Sequence, residues 1–173
     1  MMKRISKKAF TLMEILIYIG VLGLIVGTVS SFLIWGIHSH TKSKVMRETL
    51  DNARRAMEIM SRETREAKSI YTQTTTAEQL SLETTHYLPE GEKTSFIDFY
   101  LCDSRLCIKK ESQNPIYLTS DNVEVKNLSF IQIISGQIPS IQINIKIDYK
   151  NPTNRPEYQA EVELISAASL RNY

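Results

Sequence analysis

Between Ile15 and Trp35 there is not one charged side chain, a run of 21 residues. As a helix rising about 1.5 Å per residue it covers roughly 31 Å, close to the roughly 30 Å hydrocarbon thickness of a bilayer. A helix that is apolar on every face has no side to turn to water. The run therefore predicts a membrane span, and the rest of the chain has to be organised around it.

The charge of the whole chain hides a segregation. A formal net charge of +2 over 173 residues gives no basic excess of the kind that marks a nucleic-acid binder, and 42% apolar composition argues against disorder. Residues 1–9 hold Lys3, Arg4, Lys7 and Lys8, whereas residues 10–35 hold only Glu14. Residues 36–70 carry eight basic and five acidic side chains; residues 71–173 carry nine basic and thirteen acidic. Four segments are expected: a basic leader over 1–9, the membrane-spanning half of a helix over 10–35, its amphipathic half over 36–70, and a globular head over 71–173.

The third segment keeps a helical rhythm. Met46, Leu50, Ala53, Met57, Met60, Thr64 and Ala67 recur at spacings of four and three, one stripe of a helix whose other faces are polar. No proline precedes Pro89, so nothing obliges the helix to break between Phe10 and about Ile70. Gly20, Gly23, Gly27 and Gly36 allow it to bend. Such a helix would be about 90 Å long.

After Tyr71 the period changes to two. Ile141, Ile143, Ile145, Ile147 and Tyr149 alternate with polar residues, a strand with one buried and one wet face. A turn-rich connection from Asn151 to Pro156 leads to Tyr158, Ala160, Val162 and Leu164, an antiparallel partner. Upstream, Leu128 to Ile134 adds a third strand. Val123 and Val125 lie on the opposite parity from Leu128 and Phe130, which predicts a bulge near Asn127. Shorter strands are expected over Leu80 to Glu83, Phe96 to Leu101, Leu106 to Lys109 and Pro115 to Leu118. A long N-terminal helix followed by a mostly antiparallel β-sheet head is an α+β fold.

The N-terminus is not an ordinary secretory signal, whose small-residue cleavage site follows the apolar core. Here the small residue, Ala9, sits at the near edge of the apolar run. Lys8-Ala9-Phe10-Thr11-Leu12-Met13-Glu14 resembles the prepilin cleavage and methylation motif of the type IV pilin superfamily. The resemblance combines a short basic leader, a small residue at the junction, a Phe-Thr-Leu-x-Glu start and a long apolar helix, and it covers residues 1–36. It implies cleavage between Ala9 and Phe10 by a membrane-embedded prepilin peptidase, with methylation of the new Phe10 amine. Ala9 stands where the family usually has glycine. Removal of the leader would leave 17 basic and 19 acidic side chains, so the +2 describes a precursor.

The same resemblance gives Glu14 a role. A carboxylate at the apolar side of a bilayer is costly unless paired or held at the interface. In the family's filaments this glutamate lies near the N-terminal amine of a neighbouring subunit. The acidic β-rich head, the chain length and the terminal Ala168-Ser169-Leu170-Arg171-Asn172-Tyr173 are most similar to J-type minor pseudopilins of type II secretion and to W-type minor pilins. What this implies is a structural, non-enzymatic minor pilin or pseudopilin, without cofactor, sited in the bacterial cytoplasmic membrane with its head outside the cytoplasm. Its partners would be other pilins or pseudopilins, through the N-terminal helix, together with the prepilin peptidase and an inner-membrane assembly platform. The alternative is a single-pass membrane protein whose β-rich head binds a ligand or assists an enzyme.

Few other side chains carry a chemical motif. Two cysteines and three histidines cannot furnish paired zinc knuckles, and no phosphate-cradling Gly-rich loop or nucleophile elbow occurs. His38 and His40 diverge on a helix, and His86 stands alone. Some family heads bind calcium through loop acids, and Asp121, Asn122 and Glu124 form a loose counterpart for which solvation is the simpler reading. Arg54-Arg55 and Lys109-Lys110 are isolated basic pairs with no specific nucleic acid implied, and Asn127-Leu128-Ser129 matches a glycosylation acceptor by pattern alone. Cys102 and Cys107 flank Asp103-Ser104-Arg105-Leu106. A four-residue loop would set them opposite each other and a shorter turn would leave them diagonal on one face, so a disulfide and two reduced thiols both remain open.

Overall fold

A computed structural model of the chain describes residues 11–171 apart from 87, 89, 136 and 137. The first element begins at Thr11, whose Oγ1 accepts the backbone N–H of Glu14 at 3.3 Å while its carbonyl takes bonds from the N–H groups of Glu14 and Ile15. A threonine three residues ahead of a glutamate is the sequence signature of a capping box, and it satisfies a backbone donor that the first turn would otherwise leave open. Helix α1 then runs Leu12–Glu66 without a break, as the lack of proline allows.

The described residues up to His40 form one compact unit and those from Thr41 onward another. In the first unit every large apolar side chain from Leu12 to Ile37 is exposed. Two of its hydroxyls fold back on the helix: Thr28 Oγ1 donates to the Ile25 carbonyl at 2.9 Å and Ser31 Oγ to the Gly27 carbonyl at 3.0 Å. Hydroxyls folded back on their own helix cost little in an apolar medium.

In the second unit α1 buries one face. Val45, Thr49, Ala53, Ala56, Met57, Met60 and Thr64 are all buried, as is Ala67 just past the end of the helix. This stripe departs from the expected one at its start, where Met46 is 42% exposed and Leu50 only half-buried. Neighbouring helix positions differ by about 100°, so Val45 and Met46 compete for the same role and the packing partner selects between them. Thr49 Oγ1 and Thr64 Oγ1 each donate to the carbonyl four residues back, at 2.9 and 2.7 Å, which lets two hydroxyls sit in the core.

The helix ends earlier than expected. The Lys68 N–H donates to the Glu83 carbonyl at 2.8 Å, and β1 (Ser69–Ile70) pairs with β2 (Leu80–Thr84), so Ile70 belongs to a sheet. Next come β3 (Ser95–Cys102), β4 (Arg105–Lys110) and β5 (Ile116–Tyr117), which complete a five-stranded antiparallel sheet in chain order. A second sheet holds β6 (Val123–Ser135), β7 (Ile138–Tyr149) and β8 (Glu161–Ser169), again antiparallel and in chain order. The head thus contains two sheets. Backbone bonds join them, from the Val125 N–H to the Ser104 carbonyl and from the Phe130 N–H to the Ala77 carbonyl.

The ladder between β6 and β7 shifts register between Val125 and Asn127, where the parity change in the sequence requires it. The bulge keeps Val123 and Val125 on the same buried face as Leu128 and Phe130. Ile141, Ile143, Ile145 and Ile147 are fully buried beside them, and Leu80, Leu82, Ile97, Phe99, Leu106 and Ile108 of the first sheet belong to the same core cluster as the α1 stripe. Tyr158 lies in a short 3-10 turn, Pro156–Tyr158, and β8 begins only at Glu161.

Candidate assembly surface

The surface with the most exposed apolar area is the N-terminal half of α1, a helix long and apolar enough to cross a membrane. Gly20, Gly23 and Gly27 fall on one side of it at spacings of three and four. A Cβ built at any of them meets nothing within 4 Å, so no contact inside the chain requires glycine there.

Glu14 is the one charged side chain at the head of this surface. It is half-buried, in the first turn, where a carboxylate complements the positive end of the helix dipole. Its Oε1 accepts the Tyr18 hydroxyl at 3.1 Å, one turn along. The Thr11-x-x-Glu14 spacing is a legible capping signal in the sequence, whereas the Tyr18 partner, four residues on, has no such motif. Ala9 and Phe10, the expected cleavage and methylation positions, lie outside the described residues.

Cys102 and Cys107 are joined by a disulfide with a Cα–Cα distance of 6.0 Å. The shorter of the two turns considered is the one adopted. Asp103 and Ser104 both have positive φ, 49° and 61°, as a two-residue hairpin turn matched to strand twist demands. Cys102 therefore faces Arg105, Cys107 faces Tyr100, and the two sulfurs meet on the diagonal. At this tip Arg105 pairs with Asp121 and lies over the Tyr117 ring at 3.5 Å, while the Tyr117 hydroxyl donates to Asp103 at 3.1 Å.

The loop acids do not converge. Asp121 is engaged by Arg105, Asn122 donates to Glu48 at 2.7 Å, and Glu124 pairs with Lys126 at 2.5 Å. Among the described residues no group of three or more His, Cys, Asp or Glu side chains is arranged to hold a metal ion, and that includes His38, His40 and His86. Lys109 sits on β4 opposite Asp98 and Lys110 opposite Ile97, whereas Arg54 borders a groove beside β8. Asn127 closes the β6 bulge.

Two carboxylates outside the span have displaced titrations. Hydrogen bonds from Lys68 and Ser69, at 2.8 and 2.6 Å, hold the Glu83 carboxyl below its ordinary range. Burial pushes the Asp148 carboxyl up, Glu161 and Glu124 add to the effect, and Lys126 and Lys146 oppose it.

Comparison with protein-family models, with characterised proteins and with solved structures returned no match. What the chain itself establishes is a long apolar N-terminal helix followed by two antiparallel sheets in an α+β arrangement, with one helix able to span a membrane.

Proposed function

We propose that this chain is a structural, non-enzymatic subunit of a type IV pilus or of a type II secretion pseudopilus. It is a minor pilin or pseudopilin that is cut between Ala9 and Phe10, methylated at Phe10 and assembled through its N-terminal helix. The observation that carries the reading is Glu14, a single carboxylate in the first turn of a helix whose following 21 residues are uncharged and exposed. Cleavage before Phe10 creates a cation four residues from that carboxylate. A free amine at a helix N-terminus opposes the dipole, and a carboxylate there offsets it. When helices leave the lipid and pack on one another, Glu14 of one subunit compensates the amine of the next, and the glycine face at positions 20, 23 and 27 permits close helix approach.

In this role the span inserts in the cytoplasmic membrane and the head, with its disulfide, lies on the oxidising side. The partners are other subunits of the filament, the prepilin peptidase and the assembly platform.

Mass spectrometry of the membrane-extracted chain from cells with an active prepilin peptidase tests the proposal. A mature species starting at Phe10 and carrying one added methyl group is expected. An intact chain starting at Met1 or Met2 overturns it.

A further inference from the structure

An open groove of about 540 Å³ runs along the β-rich unit between the α1 flank from Arg54 to Glu66 and the side chains of Leu164 and Ser166. Arg54, Arg62, Arg65 and Arg171 border it against Glu58 and Glu66, so cations are in excess. Arg62 also reaches Glu63, at 3.5 Å. Ser61 lines the same groove, is 7% exposed, and its buried Oγ has no hydrogen-bond partner.

The groove borders an unfinished sheet. Among the described residues no strand pairs with the outer edge of β8, so every second residue of this strand turns its N–H and C=O to an open edge. Charged side chains, a common protection for such an edge, are confined to its start at Glu161 and Glu163. Farther along, the outward face of β8 carries Ile165, 62% exposed, and Ala167, which lies in register with Gln142 and Ile131. The two faces of a strand laid beside β8 would therefore meet different surroundings. Its inward side chains would enter the arginine groove; its outward ones would lie beside Ile165 and Ala167.

We propose that the β8 edge is a docking site for an extended segment of a partner protein whose side chains alternate acidic and apolar. The segment continues the second sheet, its main chain pairs with β8, and its carboxylates face Arg54, Arg62 and Arg65. Main-chain pairing supplies affinity, and the alternate side chains supply selectivity. A second copy paired through its own β8 is disfavoured, because a two-fold axis at that edge would set one arginine row against the other. The proposal does not depend on the chain being a filament subunit.

The test uses the full chain in detergent and three fluorescein-labelled octapeptides read by anisotropy: repeating Glu-Val, repeating Lys-Val, and four Glu followed by four Val. Saturable binding of the Glu-Val repeat is expected, with the block peptide weaker by about tenfold or more and no saturation by the Lys-Val repeat. Arg62→Glu with Arg65→Glu should weaken the Glu-Val repeat by about tenfold and admit the Lys-Val repeat. Should that double variant lose its β-sheet circular dichroism, Ile165→Lys on the opposite face carries the test, with a several-fold loss expected. Equal binding of repeat and block peptides overturns strand addition. Absence of saturation up to about 1 mM overturns the site. A concentration-dependent dimer of the chain that Ile165→Lys abolishes also overturns it, in favour of self-pairing.

Discussion

The Tyr18 hydroxyl donates to the Glu14 carboxylate at 3.1 Å, which ties the single acid of the N-terminal segment to the next turn of its own helix. Within one chain this contact, the Thr11 cap and the helix dipole are enough to hold the carboxylate at the helix start. None of them accounts for why a long uncharged surface should begin with a charge. The proposed assembly would supply a reason, since the carboxylate could take a cation from a neighbouring subunit.

Glu14→Ala should leave membrane insertion unchanged, because it removes a charge from the span. Incorporation into filaments, or secretion through the pseudopilus, should fall by about tenfold or more, as when a desolvated ion pair loses one partner. Tyr18→Phe should have a much smaller effect. Shear fractionation followed by immunoblotting would separate these outcomes: full assembly of Glu14→Ala would show that assembly does not use the carboxylate, and absence of the unaltered chain from the sheared fraction would favour a single-pass protein with a ligand-binding head.

Met60 and Met46 lie on the same helix and differ in burial, 0% against 42% exposed. Truncating a buried methionine leaves a cavity, so Met60→Ala should cost about 2–5 kcal/mol in urea unfolding. Met46→Ala should stay within about 0.5 kcal/mol. Equal losses would mean that the helix face is turned differently.

Glu83 and Asp148 should give opposite pH dependences. The folded-state pKa of Glu83 is depressed by Lys68 and Ser69, so its stabilisation is complete above its ordinary value of 4.5 and fades as the pH falls through the lower folded value. Glu83→Gln should therefore lower Tm at pH 7 and lose its effect in strong acid. The pKa of Asp148 is raised by burial, so its ionised form is the unfavourable one. Asp148→Asn should raise Tm at pH 7, and the gain should shrink as the pH falls toward the ordinary value of 3.8.

The disulfide closes a loop of sequence separation five, so the chain-entropy argument assigns it about 2 kcal/mol. Cys102→Ala with Cys107→Ala should lower the denaturation midpoint by a corresponding amount while β-sheet circular dichroism is retained. A larger loss would show that the Arg105, Tyr117 and Asp121 contacts at the tip depend on the bridge.

Local pattern was enough for the elements whose neighbours are near in sequence. The uncharged run, the four inward isoleucines of β7 and the parity change that forces the β6 bulge are properties of short windows, and each predicts its own geometry. The hairpin tip lay at the limit of this reasoning. Spacing allowed two turns for Cys102 and Cys107, and the positive φ at both Asp103 and Ser104 selects the tighter one.

Tertiary contacts determined the rest, because each of those features depends on a partner distant along the chain. Ser69 and Ile70 continue a helical window but are drawn into a sheet by Glu83 and Leu82. The buried stripe of α1 starts at Val45 instead of Met46 because the sheets it packs on set the rotation of its inner face. The strands divide into two sheets, and among the described residues β8 ends the second of them without a further strand, beside the groove that the arginines of α1 border. A residue's own chemistry decides whether it can be buried; which side of it is covered follows from what folds against it.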